Sequence, residues 1–125
     1  MPLTHTLFAA AVALIPAGVA LAHHGWSWAE TEVSTMIGVV EEVSLSPPHP
    51  SLKVTDDDGT LWQVDLGNPR LTAASGFAEG SATPGDTITV LGNRSLDPDE
   101  KLMKAVRITV NGQAFDIYPD RIPTD

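Results

Sequence analysis

The chain of 125 residues has no cysteine, and none of its first 29 residues is charged. Only seven Lys and Arg stand against 16 Asp and Glu, a net charge of −9, and aromatics are 6% of the whole. Without cysteine there is no disulfide framework, no thiolate metal site and no cysteine nucleophile. So few cations exclude a nucleic-acid binder, whose affinity comes largely from neutralising phosphates. Also missing are a Gly-x-Ser-x-Gly elbow, a phosphate-cradling glycine loop and a dinucleotide fingerprint, so the chain is not expected to be an enzyme. With 18% charged and 42% hydrophobic residues the remainder is neither a disordered acidic tail nor a coiled coil. Ten Gly and ten Pro predict many turns, which favours strands over helices.

What is present divides the chain. Residues Leu7 to Ala22, LFAAAVALIPAGVALA, form sixteen positions without a polar side chain. The run is short for a membrane span, which needs about 20 apolar residues. Pro16 and Gly18 interrupt its end, and Ala20-Leu21-Ala22 is the small-x-small pattern cut by signal peptidase. The residues before the run include His5 but no Lys or Arg. The expectation is a signal peptide over residues 1–22 and an exported, periplasmic protein. The alternatives are a retained membrane anchor and a buried N-terminal helix. A tether over 23–32 and one β domain over 33–125 follow.

Cleavage after Ala22 makes His23 the first residue, followed by His24. An N-terminal histidine offers its amine and its ring Nδ1 to one metal, closing a chelate ring. A third imidazole turns this pair into the T-shaped set of a histidine brace. Planar nitrogen donors suit Cu(II), and zinc is the less favoured occupant. His24 permits a competing mode through the amine, the intervening amide nitrogen and its own ring. With Gly25 in third place, the tripeptide copper motif that needs histidine there is absent.

The mature domain reads as strands. Met36 to Val43 is the first, with Gly38 as its expected bend or bulge. Ser46-Pro47-Pro48-His49-Pro50 breaks it, Leu52 to Val54 follows, and Asp56-Asp57-Asp58-Gly59 is a hairpin turn rather than a calcium loop, whose spacing it lacks. Leu61 to Leu66 is the third strand. Asn68-Pro69 opens a short helix, Arg70 to Ser75, that Gly76 closes. Thr87 to Gly92 and Met103 to Val110 are the fourth and fifth strands, and Asn111-Gly112 marks a hairpin beyond which Gln113 to Tyr118 extends the sheet. Five strands with a short helix between the third and fourth is the order of an OB-type barrel, so the expected fold is all-β, an OB-like barrel of five or six strands. A simple β-sandwich is the alternative.

An ordered set of residues also carries a resemblance. Ala22-His23-His24, Pro48-His49, Trp62, Gly67-Asn68-Pro69 with Leu71, Gly76-Phe77 and Pro84-Gly85-Asp86-Thr87-Ile88-Thr89-Val90-Leu91-Gly92 occur in sequence. The pattern resembles the small exported bacterial domain-of-unknown-function family 6152, over nearly all of the mature chain. Where members usually show Asn-Pro-His this chain has Pro47-Pro48-His49. Where they often carry basic residues it has Thr72-Ala73-Ala74-Ser75, which speaks against a basic patch. The resemblance implies export and an OB-like barrel, and no activity.

The mature chain has three histidines, His23, His24 and His49. His49 sits in the proline-stiffened loop between strands one and two, which in an OB-type barrel is expected to share a rim with the loop between strands four and five. If the tether folds back along that rim, His23 with His24 or His49 gives three nitrogens to one metal. The plainer reading is a solvated tail and a loop histidine. Asp97, Asp99, Glu100 and Met103, in or beside the other loop, would be extra oxygen or thioether donors, or simply a turn. Trp62 is expected in the core, and Trp26 and Trp28, on one face of an extended tether, would pin it to the barrel. The expected partners are a metal ion and, on a rival reading, a protein or glycan of the envelope bound without metal. A membrane enters only if the apolar segment is retained.

Overall fold

A computed structural model describes residues 25–124. His23, His24 and the apolar run lie outside the described residues. Six strands form one sheet: β1 (Ser34–Ser44), β2 (Ser51–Asp56), β3 (Leu61–Asp65), β4 (Thr87–Arg94), β5 (Leu102–Val110) and β6 (Gln113–Asp116). One short helix, α1 (Pro69–Ala74), lies between β3 and β4, and a 3₁₀ turn (Pro119–Arg121) follows β6. β1 pairs with β2 and β4, β2 with β3, and β4 with β5, all antiparallel. A parallel pairing of β3 with β5 closes the ring, so the fold is an all-β, OB-like five-stranded barrel with β6 added on β5.

Alternation of apolar and polar residues sets which side of each strand faces inward. Val40, Val54, Val64, Ile88, Val90, Met103 and Ile108 are fully buried inside the ring. Each large aliphatic side chain withdrawn in this way contributes about 1.5–3 kcal/mol. Phe77, after α1, meets Phe115 of β6 edge-on, with ring centroids 5.3 Å apart. Asn68 Oδ1 accepts from the Leu71 amide at 2.8 Å, which caps α1, and Pro69 occupies its first turn as its fixed φ allows.

Two close approaches shape the barrel. β1 pairs with both β2 and β4, and at Gly38 it runs so near β2 that a Cβ would stand 2.4 Å from the Thr55 carbonyl oxygen. The bulge expected at Gly38 occurs instead between Val40 and Glu42. Gly38 keeps its pairing with both strands because close packing, rather than an extra residue, is what excludes a side chain there. The fourth strand continues past Gly92 to Arg94, so its last two residues belong to the sheet and not to the polar loop.

A second bulge lies in β5. Leu91 pairs with Arg107 and Gly92 with Ala105, leaving Val106 without a partner on β4. Its carbonyl instead accepts from the amides of Ile117 at 2.9 Å and Tyr118 at 3.1 Å. The extra residue also reverses the alternation, so Lys104 and Arg107 both reach the outer surface while Ala105 and Val106 are buried.

Candidate functional site

One edge of β5 is shared by two strands. β3 pairs with Leu102 to Lys104, and β6 with Arg107 to Val110. Where β3 leaves and β6 has not yet joined, a cleft of about 350 Å³ opens. Pro48, His49 and Pro50 line it from the β1–β2 loop, and Asp65 to Asn68 from the end of β3. Lys104 comes from β5, Tyr118 from beyond β6, and Gly25 and Trp26 from the tether. The end of β3 is tied to the loop directly, since the Leu66 amide donates to the Pro50 carbonyl at 3.0 Å.

The tether reaches this cleft along a fixed path. The Asn93 amide nitrogen lies within hydrogen-bond reach of the carbonyls of Glu30, Thr31 and Glu32, at 2.9, 3.4 and 3.2 Å. The Glu30 amide donates to Arg94 at 2.7 Å, and the Leu96 amide to Trp28 at 2.9 Å. Trp28 and Ala29 are buried against Leu102. The segment is not extended, because the Ala29 amide turns back to the Trp26 carbonyl at 3.0 Å. Trp26 and Trp28 therefore do not act as one face. Trp28 packs beneath the tether, while Trp26 stands in a cationic and aromatic cage.

That cage is closely built. The Arg121 guanidinium lies 3.8 Å and the Lys104 ammonium 4.4 Å from the Trp26 ring centroid. Tyr118 meets the indole edge-on at 4.8 Å. Lys104 Nζ also donates to the Gly25 carbonyl at 2.7 Å. Such cation–π contacts contribute about 0.5–1 kcal/mol when exposed and more when desolvated. Burial pulls the Lys104 ammonium below the usual lysine range; the Asp65 carboxylate opposes this and Arg121 adds to it. Burial also pushes the Tyr118 phenol above its ordinary value, with Arg121 acting against the shift and Asp65 with it.

Of the histidines expected at a metal, only His49 is described, and it lines the cleft where the described chain begins. Among the described residues no group of three His, Cys, Asp or Glu is arranged to hold a metal. The loop between β4 and β5 does not share the His49 cleft as expected, because the tether runs along that loop instead. Asp97 to Lys101 is a turn: Asp97 Oδ1 accepts from the Asp99 amide at 3.0 Å, and the Glu100 amide donates to the Asp97 carbonyl at 3.1 Å. Met103 is fully buried in the core and cannot serve the surface as a donor. Trp62 is in the core, its indole donating to Asp56 Oδ2 at 2.9 Å, and Asp56 Oδ1 accepts from Asp58 and Thr60 in the hairpin turn.

Asp65, Lys104 and Tyr118 were not singled out by the sequence. For Lys104 a signal exists. Two apolar residues, Ala105 and Val106, separate it from Arg107, so strict alternation cannot expose both cations and a bulge must intervene.

A family model described as a family of unknown function, DUF6152, matches residues 11–103. The chain belongs to this family. No curated protein matches the chain. The DUF6152 match runs from before the tether to the start of β5, ending just before Lys104, and brings no activity with it.

Proposed function

We propose that the protein is exported, loses residues 1–22, and binds Cu(II), less favourably Zn(II), through its new N-terminus. His23 supplies amine and ring nitrogens, and His49 or His24 the third nitrogen. Its role is to buffer or deliver the metal in the periplasm rather than to catalyse a reaction. The observation that carries this reading is that His49 and Gly25 line one cleft, with Gly25 held there by Lys104. His23 is two residues upstream of Gly25, and two residues of chain span at most about 7 Å. A linker of that length is short enough for the amine to be brought to the cleft that contains His49.

The test is a Cu(II) titration of protein processed in cells, its N-terminus verified by intact mass, beside protein with one extra residue before His23. Tight one-to-one binding that collapses in the extended protein supports the reading, and His49→Ala then identifies the third donor. Because the amine and imidazoles must be deprotonated, affinity is expected to fall as pH drops through about 8 to 6.5. Equal, weak binding by both proteins, or affinity unchanged across that range, overturns it.

A second reading, an envelope module that binds a protein or glycan without metal, draws on the outer face of β1 and β3. Val39, Thr55 and Leu61 form one row across β1, β2 and β3, with Ile37 nearby, and Ile37, Val39 and Leu61 are exposed on a strongly acidic protein. Failure of the copper titration would direct attention there.

A further inference from the structure

We propose that the outer face of β1, β4, β5 and β6 receives a second copy of this chain, packed face against face in a weak dimer. The inference stands apart from the copper reading, because none of its residues lines the His49 cleft, and failure of either leaves the other intact.

Strand register builds the face. The first half of β1, then β4, the second half of β5 and β6 follow one another as antiparallel neighbours. Met36, Ile88, Ile108 and Phe115 are buried in the core, so the residues beside them in sequence turn outward. One outward row runs Ile37, Thr89, Thr109 and Ala114, and no residue in it is charged. In the next row Leu91 is followed by Arg107 and Asp116, whose charges cancel because the guanidinium donates to the carboxylate through Nε and Nη2. On the other side Val39 pairs with Thr87. Ile37 is 50% and Val39 41% exposed.

The distribution of charge points to the occupant. The protein carries 16 Asp and Glu and a net charge of −9, yet Asp116, already neutralised, is the one acid in these rows. The nearest acids along the strands stand beyond the ends of the face: Glu32 before β1, Glu41 at its bulge and Asp86 before β4. Two such molecules repel in most orientations, and the approach that opposes least like charge sets this face against its own copy. Homodimer interfaces are self-complementary and depleted in charge, as this face is. β6 adds a second sign. A free edge strand is ordinarily guarded by charge. Among the described residues β6 pairs only with β5, and it exposes Gln113 and Ala114 while its one carboxylate is tied to Arg107. Four strands about 4.8 Å apart, carrying rows about 7 Å apart, give a footprint of roughly 400 Å². A standard stable interface buries about 800 Å² per partner, so this dimer is a weak one, populated in concentrated solution.

The test is sedimentation equilibrium of the protein isolated from cells, its N-terminus verified by intact mass. Dimer is expected to accumulate as concentration rises from about 10 μM to about 1 mM. It should accumulate further at high salt, which screens the repulsion between acidic partners. Thr89→Glu and Ala114→Glu should each weaken association by about tenfold or more, since they oppose like charges across the contact. Ala114 is exposed on the edge strand, so that variant keeps its fold, checked by circular dichroism, even if Thr89→Glu disturbs β4. Leu96→Glu removes the most exposed large apolar side chain, in the β4–β5 loop away from the face, and should leave association within about twofold of wild type. A chain that stays monomeric at low and high salt overturns the proposal and leaves the face to a different partner. A dimer that salt weakens, that both face variants leave unchanged, or that Leu96→Glu disrupts as strongly as Ala114→Glu, overturns it as well.

Discussion

Asn93 and Lys104 are cross-strand partners on β4 and β5, and each grips one end of the tether. Asn93 holds the carbonyls of Glu30 to Glu32, and Lys104 holds that of Gly25. Two adjacent side chains thus fix where the chain enters the cleft, before any metal is considered.

Replacing Lys104 by methionine keeps the aliphatic stem but removes the Gly25 bond and one of the two charges beside Trp26, leaving that of Arg121. Global stability is expected to change by no more than about 1 kcal/mol, since a partly exposed cation–π contact and one hydrogen bond are lost while a desolvated charge is relieved. Hydrogen exchange at the Ala29 amide, which donates to the Trp26 carbonyl, should nonetheless accelerate and the Trp26 emission should shift. Unchanged exchange and emission would mean that Lys104 does not hold the tether.

Asn93 is buried, and its side-chain amide reaches the carbonyls of Glu30, Thr31 and Glu32. Asn93→Ala should cost about 0.5–1.5 kcal/mol, the net worth of a part-buried hydrogen bond whose carbonyls water can then serve. The loss is measured by urea unfolding. Exchange at Glu30, whose amide bonds to Arg94, should rise with it, and a melting curve identical to wild type would contradict the assignment.

Two carboxylates predict the acid limb of stability. Hydrogen bonds from Trp62 and the Thr60 amide hold the Asp56 carboxyl below its ordinary 3.8, and the Arg107 guanidinium does the same for Asp116. A lowered folded value means that the unfolded chain takes up protons first as pH falls. Their contribution is therefore complete above about 3.8 and is lost as pH drops through the lowered values. Asp116→Asn and Asp56→Asn should each flatten the decline of the unfolding midpoint between about pH 5 and 2. Curves parallel to wild type would show that these pairs do not couple to folding.

The strands, the hairpin turn at Asp56–Gly59 and the cap at Asn68 were legible because each depends on residues close together in sequence. Alternation identifies an inner face without reference to the rest of the chain, and Trp62 follows from it. The cleft was only half legible. His49 announced itself by its prolines, but Asp65 and Lys104 acquire meaning only through the β3–β5 register, which joins distant segments and leaves no periodicity. The expectation for the β4–β5 loop failed for a related reason: nothing in Asp97 to Lys101 tells that the Trp28–Ala29 segment will lie along it. Gly38 was read as a bend or bulge because a glycine in a strand can mark an irregular strand or a crowded backbone, and only the neighbouring strand distinguishes them.

The parallel junction between β3 and β5 has a kinetic consequence. It joins residues 63–65 to 102–104, one of the barrel's more distant pairings, and distant pairings pay their loop-closure entropy before their contacts reward them. Neighbouring hairpins can form early, whereas the row of Ser51, Asp65 and Lys104 across β2, β3 and β5 exists only once this junction has shut. The cleft is consequently a late product of folding. A chain that has assembled its hairpins but not its ring presents His49 and Asp65 on one piece and Lys104 on another, so the surface that would receive a ligand is available only in molecules that have finished folding.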